Sequence, residues 1–584
     1  MSRVWVLLLC AAWHVAAADE HGSLILHFLQ LQVGEESYDL ATEPGGGLLL
    51  KANFDYTERG SHVPLAATLR MKSDLTPVQF EAKGKSYRPF SVDAAVNVAA
   101  DGRSAVLRDN GKTREAALPE RYFTVSGYAP FSVQMMMLRY WNAHGKPARL
   151  PQFPAGEPGT EAQIEVSGQE TIEAGGQTVH LTRYSIGNIV WGRETIWLDD
   201  RGQIAGGVSY AGGLPLEAVR SEYRGAFAQL IRSAIADRMR ELSAERARIH
   251  PLLEGAYAIT GATLIDGSGG PPVSDAVVIV RDGKIAAAGT RAQVQIPRGS
   301  RIVDGRGQTL LPGLWEMHAH FAQVEWGPAY LAAGVTSARD CGGEFEFITA
   351  VRDLIESGKG LGPHLLLAGL VDRSGTGTFG VNYADTPEQG IAQVARYKAA
   401  GFVQMKIYSR IQPDVLKAVA AEAHRVGMTV TGHVPEGMTA IQGVEDGMDQ
   451  INHFGSVYQA IRRADDRAAV IQFFKDHHTV VDPTWAWNEL LGRPMNVDIA
   501  SFEPGFAKAP YTLTSVIGTA GTPASNARPA GRMDDQYAVL RALYAAGVPI
   551  VAGTDKAVPG HSLHRELELY VQAGLTPMQV IQIA

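Results

Sequence analysis

Eight short apolar runs recur between residue 311 and the last residue of the chain, each closing on polar side chains and each separated from the next by a helix-like stretch. They end at GLWEMHAH, GVTSARD, HLLLAGLV, FVQMKIYS, MTVTGHV, MDQINHF, TVVDPTWAW and VPIVAGTD. Strand and helix patterns in alternation argue for parallel βα units. Eight such units in order are the count of an α/β fold of the (β/α)8 TIM-barrel type, in which chemistry sits at the C-terminal ends of the strands. The polar residues of these runs fall at those ends.

A chain of 584 residues exceeds one hydrophobic core, so other domains precede the barrel at 311–584. Residues 251–310 read as the N-terminal part of a small β-domain, with a hairpin turn at Asp282-Gly283. Residues 216–250 read as a helical connector, because Tyr223, Phe227, Leu230, Ile231, Ile235, Met239 and Leu242 recur at helical spacing. Residues 19–215 read as a β-rich N-terminal domain of unknown role. Its stretch ETIWLDDRGQIAGGVSY has the alternation of a hairpin, and it carries no cluster of metal-type ligands.

Residues 1–18 read as a signal peptide: MSR is a short positive start, VWVLLLCAAWHVA a short apolar core, and an A-x-A pattern places cleavage after Ala18. An uncleaved anchor is the alternative. No later apolar run is long enough to span a bilayer. The mature chain is therefore expected to be exported, periplasmic or secreted, without a membrane span. Cys341 alone would remain after cleavage, which excludes an internal disulfide. A formal net charge of −8 without a basic patch argues against nucleic acid and leaves a small molecule as the expected partner. The residues carry no reading of oligomeric state.

Strand residues two apart face the same side. His318 and His320 therefore point together, into the barrel mouth if Leu314 and Glu316 share that face, and two imidazoles so placed can grip a divalent cation. An H-x-H pair is also common strand decoration. In FVQMKIYS, Gln404, Lys406 and Tyr408 face the interior while Val403, Met405 and Ile407 face the helices. A lysine inside a barrel is costly unless paired, neutral or chemically altered. Reaction with CO2 would turn it into a carboxylate able to bridge two metals; reaching the rim to meet an acid is the other solution. His433, His453 and Asp555 each end a strand. One such residue is ordinary, whereas histidines, a lysine and an aspartate on strands 1, 4, 5, 6 and 8 read together as a metal site.

Here the chain resembles the amidohydrolase superfamily over roughly residues 255–584, through GATLIDGSG, LLPGLWEMHAHF and the GTD of strand 8. MKIYS, GHVPEGM, QINHF and PGHSLHRELELYVQAGLTPMQVI are similar to its imidazolonepropionase-like and prolidase-like branch. The resemblance implies His318, His320 and Asp555 on a more buried metal, His433 and His453 on a second, and carboxylated Lys406 bridging them. It also implies that the sequence stops inside helix 8, at LTPMQVIQIA, short of the strands that complete the small β-domain.

Two divalent ions so held can carry a bridging hydroxide and polarise a carbonyl. Zinc suits nitrogen and oxygen ligands, with manganese, iron or cobalt also fitting. Asp555 is then expected to take the proton of that water and pass it to a leaving amine. The expected reaction is hydrolysis of an amide or peptide bond in a dipeptide-like or N-acyl amino acid substrate. Lactonase or phosphotriesterase chemistry on the same centre, or a non-catalytic binding protein, are the alternatives. Tyr408 could donate to an oxyanion or to substrate, or be a packed rim residue. Arg373, where relatives tend to have glycine after the aspartate, could hold a substrate carboxylate. Arg339-Asp340 reads as an internal ion pair. His477-His478 precedes strand 7, at the wrong end of the barrel, and His561 and His564 read as surface or capping residues.

Overall fold

A computed structural model describes residues 19–584, apart from residues 157–158, 211–213, 254, 376, 524–531 and 557. The expected signal peptide at 1–18 lies outside the described residues.

The N-terminal domain is built on a 13-stranded antiparallel sheet in which two meanders are joined side by side. Its early strands alternate: in Leu48–Glu58, Leu50, Ala52, Phe54 and Tyr56 are buried while Lys51, Asn53 and Asp55 are exposed. There the period of two gives the sheet one wet and one dry face, whereas Ile204–Ser209 and Leu216–Arg220 are buried throughout. Against the sheet packs a helix, Phe131–Ala143, whose first eight residues are all buried. Its two leading N–H groups donate to the buried Glu36 carboxylate, Phe131 N at 2.8 Å and Ser132 N at 2.7 Å, which satisfies donors that a helix start leaves unpaired.

The connector differs from its expected form. Leu216–Arg220 is a strand that pairs antiparallel with Glu20–Phe28 and so joins the later run of strands to the first one within the open sheet. The α-helix runs from Phe227 to Arg248. Leu230, Ile231, Ala234, Ile235 and Leu242 join the core of the barrel, so the helix is packed into the molecule along much of its length. Tyr257–Leu264, Val273–Arg281, Lys284–Thr290 and Arg301–Asp304, with Thr309–Leu310, form the small sheet. Asp282 and Gly283 both have positive φ, as the two-residue hairpin turn requires.

Seven barrel strands follow in parallel and in sequence order: Leu314–Ala319, Val335–Asp340, His364–Val371, Gln404–Ile407, Thr429–Gly432, Gln450–Asn452 and Val480–Asp482. The eighth position is filled by residues 549–555. Val481 N donates to Pro549 O at 2.9 Å and Val551 N to Val481 O at 3.0 Å on one side. On the other, Met317 N donates to Ala552 O and Asp555 N to His318 O, both at 2.9 Å. The barrel is thereby closed, and His318, Lys406, Asn452, Asp482 and Asp555 come to one end of it.

Among the described residues, no helix is long and apolar enough to cross a membrane.

Candidate metal centre

The first barrel strand sets the floor. Glu316, fully buried, accepts from His318 N at 2.9 Å and from Thr554 N at 2.9 Å and Oγ1 at 2.7 Å, tying strand 1 to strand 8. Burial pushes its carboxyl up to about 8. Above it, His318 Nε2 and His320 Nε2 lie 3.6 and 3.1 Å from Asp555 Oδ1, and these three residues form a donor group that could hold a metal ion. Gly553 makes that spacing possible: a Cβ there would sit 2.5 Å from His318 Cβ and 2.6 Å from Asp482 Oδ1.

His433 and His453 face one another, Nε2 to Nε2 at 2.9 Å, and His453 Nε2 is 3.9 Å from Asp555 Oδ2. Two imidazole nitrogens this close need a shared proton or a shared cation between them. All four rings are held from behind by Nδ1. His318 donates to the Asp482 carboxylate at 2.8 Å and His320 to the Gly342 carbonyl at 2.7 Å. His433 Nδ1 meets Ser409 Oγ at 2.8 Å, and His453 Nδ1 meets Thr484 Oγ1 at 2.7 Å. Such outer partners fix ring orientation and aim the opposite nitrogen inward, as in metal sites. Burial holds His318 and His433 well below the usual histidine range and His453 down to about 4. Neutral imidazoles with free lone pairs are the form a metal needs.

Lys406 is fully buried, with Nζ 3.5 Å from His318 Nε2. Among the described residues it has no carboxylate within ion-pair distance, so it does not reach the rim to meet an acid. Burial lowers its ammonium from the ordinary range, and a neutral amine is the form that CO2 can carboxylate. Burial opposes the charge of Asp555, but His318, His320 and His453 outweigh it and hold the carboxyl well below its ordinary value. The donor set therefore fits divalent cations.

Several residues not singled out in the sequence complete the site. Asp482 orients His318 and also meets Arg339 at 3.5 Å; burial pushes its carboxyl up to about 7. Arg339 thus braces the barrel through Asp482, Gln404 and Gln450, while Asp340 accepts from Phe321 N and Gly342 N. The expected Arg339-Asp340 pair is replaced by these two separate arrangements. His453, Thr484, Asp555 and Lys556 all have positive φ at strand ends, and strained non-glycine backbone of this kind clusters at functional sites. Buried Cys341, its thiol pushed up to about 11 by burial, is inert packing between Met317 and Asn452.

Tyr408 packs against His433 with the rings tilted and their centres 4.3 Å apart, and its hydroxyl accepts from Arg59 Nη1 at 2.5 Å. Arg59 belongs to the N-terminal domain. Arg373 is not brought to the group: half-exposed on the loop after strand 3, it turns toward Asp385, 3.9 Å away. His477 and His478 are exposed at the start of strand 7. His561 opens the last-but-one helix, and exposed His564 bonds the Ala333 carbonyl at 2.8 Å.

Fold and site together define the class: a (β/α)8 barrel gathering a metal-type donor set at the C-terminal ends of its strands. A sequence model of the amidohydrolase family matches residues 309–584, and this part of the chain belongs to that family. An N-acyl-D-aspartate deacylase of Alcaligenes xylosoxydans xylosoxydans is 42% identical over 64 residues, which span 11% of this chain and 12% of that relative. Among solved structures, a Xaa-Pro dipeptidase with bound methionine is 20% identical over 56% of this chain and 87% of its own, with a TM-score of 0.43. A bottromycin amidohydrolase is 21% identical over 60% and 79%, TM-score 0.45. The ochratoxinase of A. niger is 21% identical over 56% and 82%, TM-score 0.40.

Proposed function

We propose that the chain is a metal-dependent hydrolase of carbonyl–nitrogen bonds, acting on N-acyl amino acids or dipeptide-like substrates. The observation that carries this is the gathering of four Nδ1-anchored imidazoles, three of them around Asp555 and His433 against His453, with buried Lys406 beside His318. His318, His320 and Asp555 would hold one cation, His433 and His453 a second, with carboxylated Lys406 shared. When bound, zinc or a similar divalent ion supplies Lewis-acid polarisation of a carbonyl and acidifies water. Asp555, charged at neutral pH, accepts a proton from water at a carboxylate oxygen and returns it to the nitrogen of the leaving amine. The Tyr408 oxygen is occupied as an acceptor by Arg59, which leaves its own O–H to donate to substrate. The partial likeness to an N-acyl-D-aspartate deacylase supports an acyl amino acid as substrate.

Export belongs to the same reading and is supported by the N-terminal stretch MSRVWVLLLCAAWHVAAA. N-terminal sequencing of the protein recovered from the cell envelope or medium should begin at Asp19. The activity is tested by turnover of a panel of N-acetyl amino acids and dipeptides beside lactones and phosphotriesters. At least one amide should exceed every ester in kcat/KM; ester or lactone preference would overturn the assignment.

A further inference from the structure

The hairpin joining Leu48–Glu58 to Ser61–Met71 turns through Arg59 and Gly60, both at positive φ, +47° and +74°. Two-residue turns of this kind favour asparagine, aspartate or glycine at the first place. Asn110-Gly111 and Asp282-Gly283 follow that preference elsewhere in this chain. Here an arginine takes the strained position, and its side chain crosses to the barrel. Its guanidinium lies over the Phe379 ring at 4.4 Å, and Phe379 packs edge-on to His320 with ring centres 6.4 Å apart. Nη1 reaches Tyr408, whose ring packs against His433. Phe379 and Tyr408 belong to the hydrophobic core of the N-terminal sheet. The hairpin is therefore part of the wall around the candidate metal centre.

Glu58, 2% exposed, pairs with partly buried Arg59 and also with Arg88, the latter at 2.8 Å and 36% exposed, so it holds the Arg59 guanidinium in place from one side. Arg59 has five N–H donors; Nε is engaged by Glu58, one N–H of Nη1 by Tyr408, and one of Nη2 by the Tyr87 hydroxyl at 2.7 Å. Among the described residues, one N–H on each terminal nitrogen has no partner, and guanidinium N–H groups are the donors a carboxylate takes up. We propose that Arg59 is a specificity-determining residue of the barrel's site, receiving the carboxylate of an N-acyl amino acid or dipeptide, so that the N-terminal domain completes the site. This rests on the hydrolase reading above and adds the side chain that selects an acid over its neutral analogue.

The test uses the metal-loaded full chain with N-acetyl amino acids and their carboxamides. Arg59→Met should lower the acid-over-carboxamide ratio of kcat/KM at least tenfold, mainly through KM of the acid, and Arg59→Lys should restore part of it. An unchanged ratio, whether both substrates are lost equally or neither is affected, would overturn the assignment. If the wild type cleaves no amide, the hydrolase reading fails and calorimetry tests Arg59 independently. N-acetylalanine should bind the wild type at least tenfold tighter than N-acetylalaninamide, and Arg59→Met should abolish that difference. Equal discrimination by both proteins would overturn the role of Arg59.

Discussion

Asp482 governs how His318 presents its ring, since a carboxylate on Nδ1 fixes both tautomer and orientation. Asp482→Ala is expected to weaken divalent-ion affinity about 10–100-fold, the usual cost of losing such a partner, as read by titration of the chelated protein with zinc. Affinity equal to that of the wild type would contradict this. His318, His320, Lys406, His433, His453 and Asp555 were legible in the chain because each ends a strand of a repeating unit and several sit in family motifs. Asp482, Ser409 and Thr484 were not, because a single polar residue at a strand end has no period or spacing to mark it. Arg59 was illegible for a different reason. Its turn is a local feature, whereas its partners Tyr408 and Phe379 are brought near only by the packing of two domains.

At the level of elements, the eighth barrel position depends on the absence of a side chain. Gly553 lets residues 549–555 lie against strand 1, where a Cβ would meet His318 Cβ at 2.5 Å and His318 N at 2.8 Å. Gly553→Ala should displace His318 or the strand, costing about 3 kcal/mol of stability and reducing bound metal; denaturant unfolding and metal analysis check both. Unaltered stability would mean that the strand relaxes freely. The barrel strands were readable from alternation, and the small hairpin from Asp282-Gly283. Leu216–Arg220 was not: LEAVR has strong helix formers and continues into a true helix, yet pairing with Glu20–Phe28 overrides that preference. The same pairing buries Glu217 completely, a position that helical spacing leaves unmarked.

Across the whole molecule, the N-terminal sheet is docked to the barrel through buried acids. Gln30, at a hairpin tip, donates from its backbone to Glu217 at 3.2 Å and from its side chain to Glu344 at 2.8 Å, one acid from each domain. Burial and their mutual repulsion raise Glu217 well above the ordinary range; burial raises Glu344 to about 7, with Gln30 opposing and Glu346 adding to the shift. A carboxyl raised on folding contributes stability that is full below its unfolded value of 4.5 and is lost as the pH rises through about 7. The thermal midpoint should therefore fall from pH 6 to pH 8.5, and Glu344→Gln should remove about 1 kcal/mol of that fall; an identical slope in the variant would contradict it. The central claim, that the barrel is a metal-dependent amide hydrolase, meets its most direct test in metal removal and return. The chelated full-length protein should lose turnover of its best N-acyl amino acid or dipeptide. Zinc or manganese added with bicarbonate should restore it at two ions per chain. Turnover unaffected by chelation, or fewer than one ion bound per chain after loading, would contradict the claim.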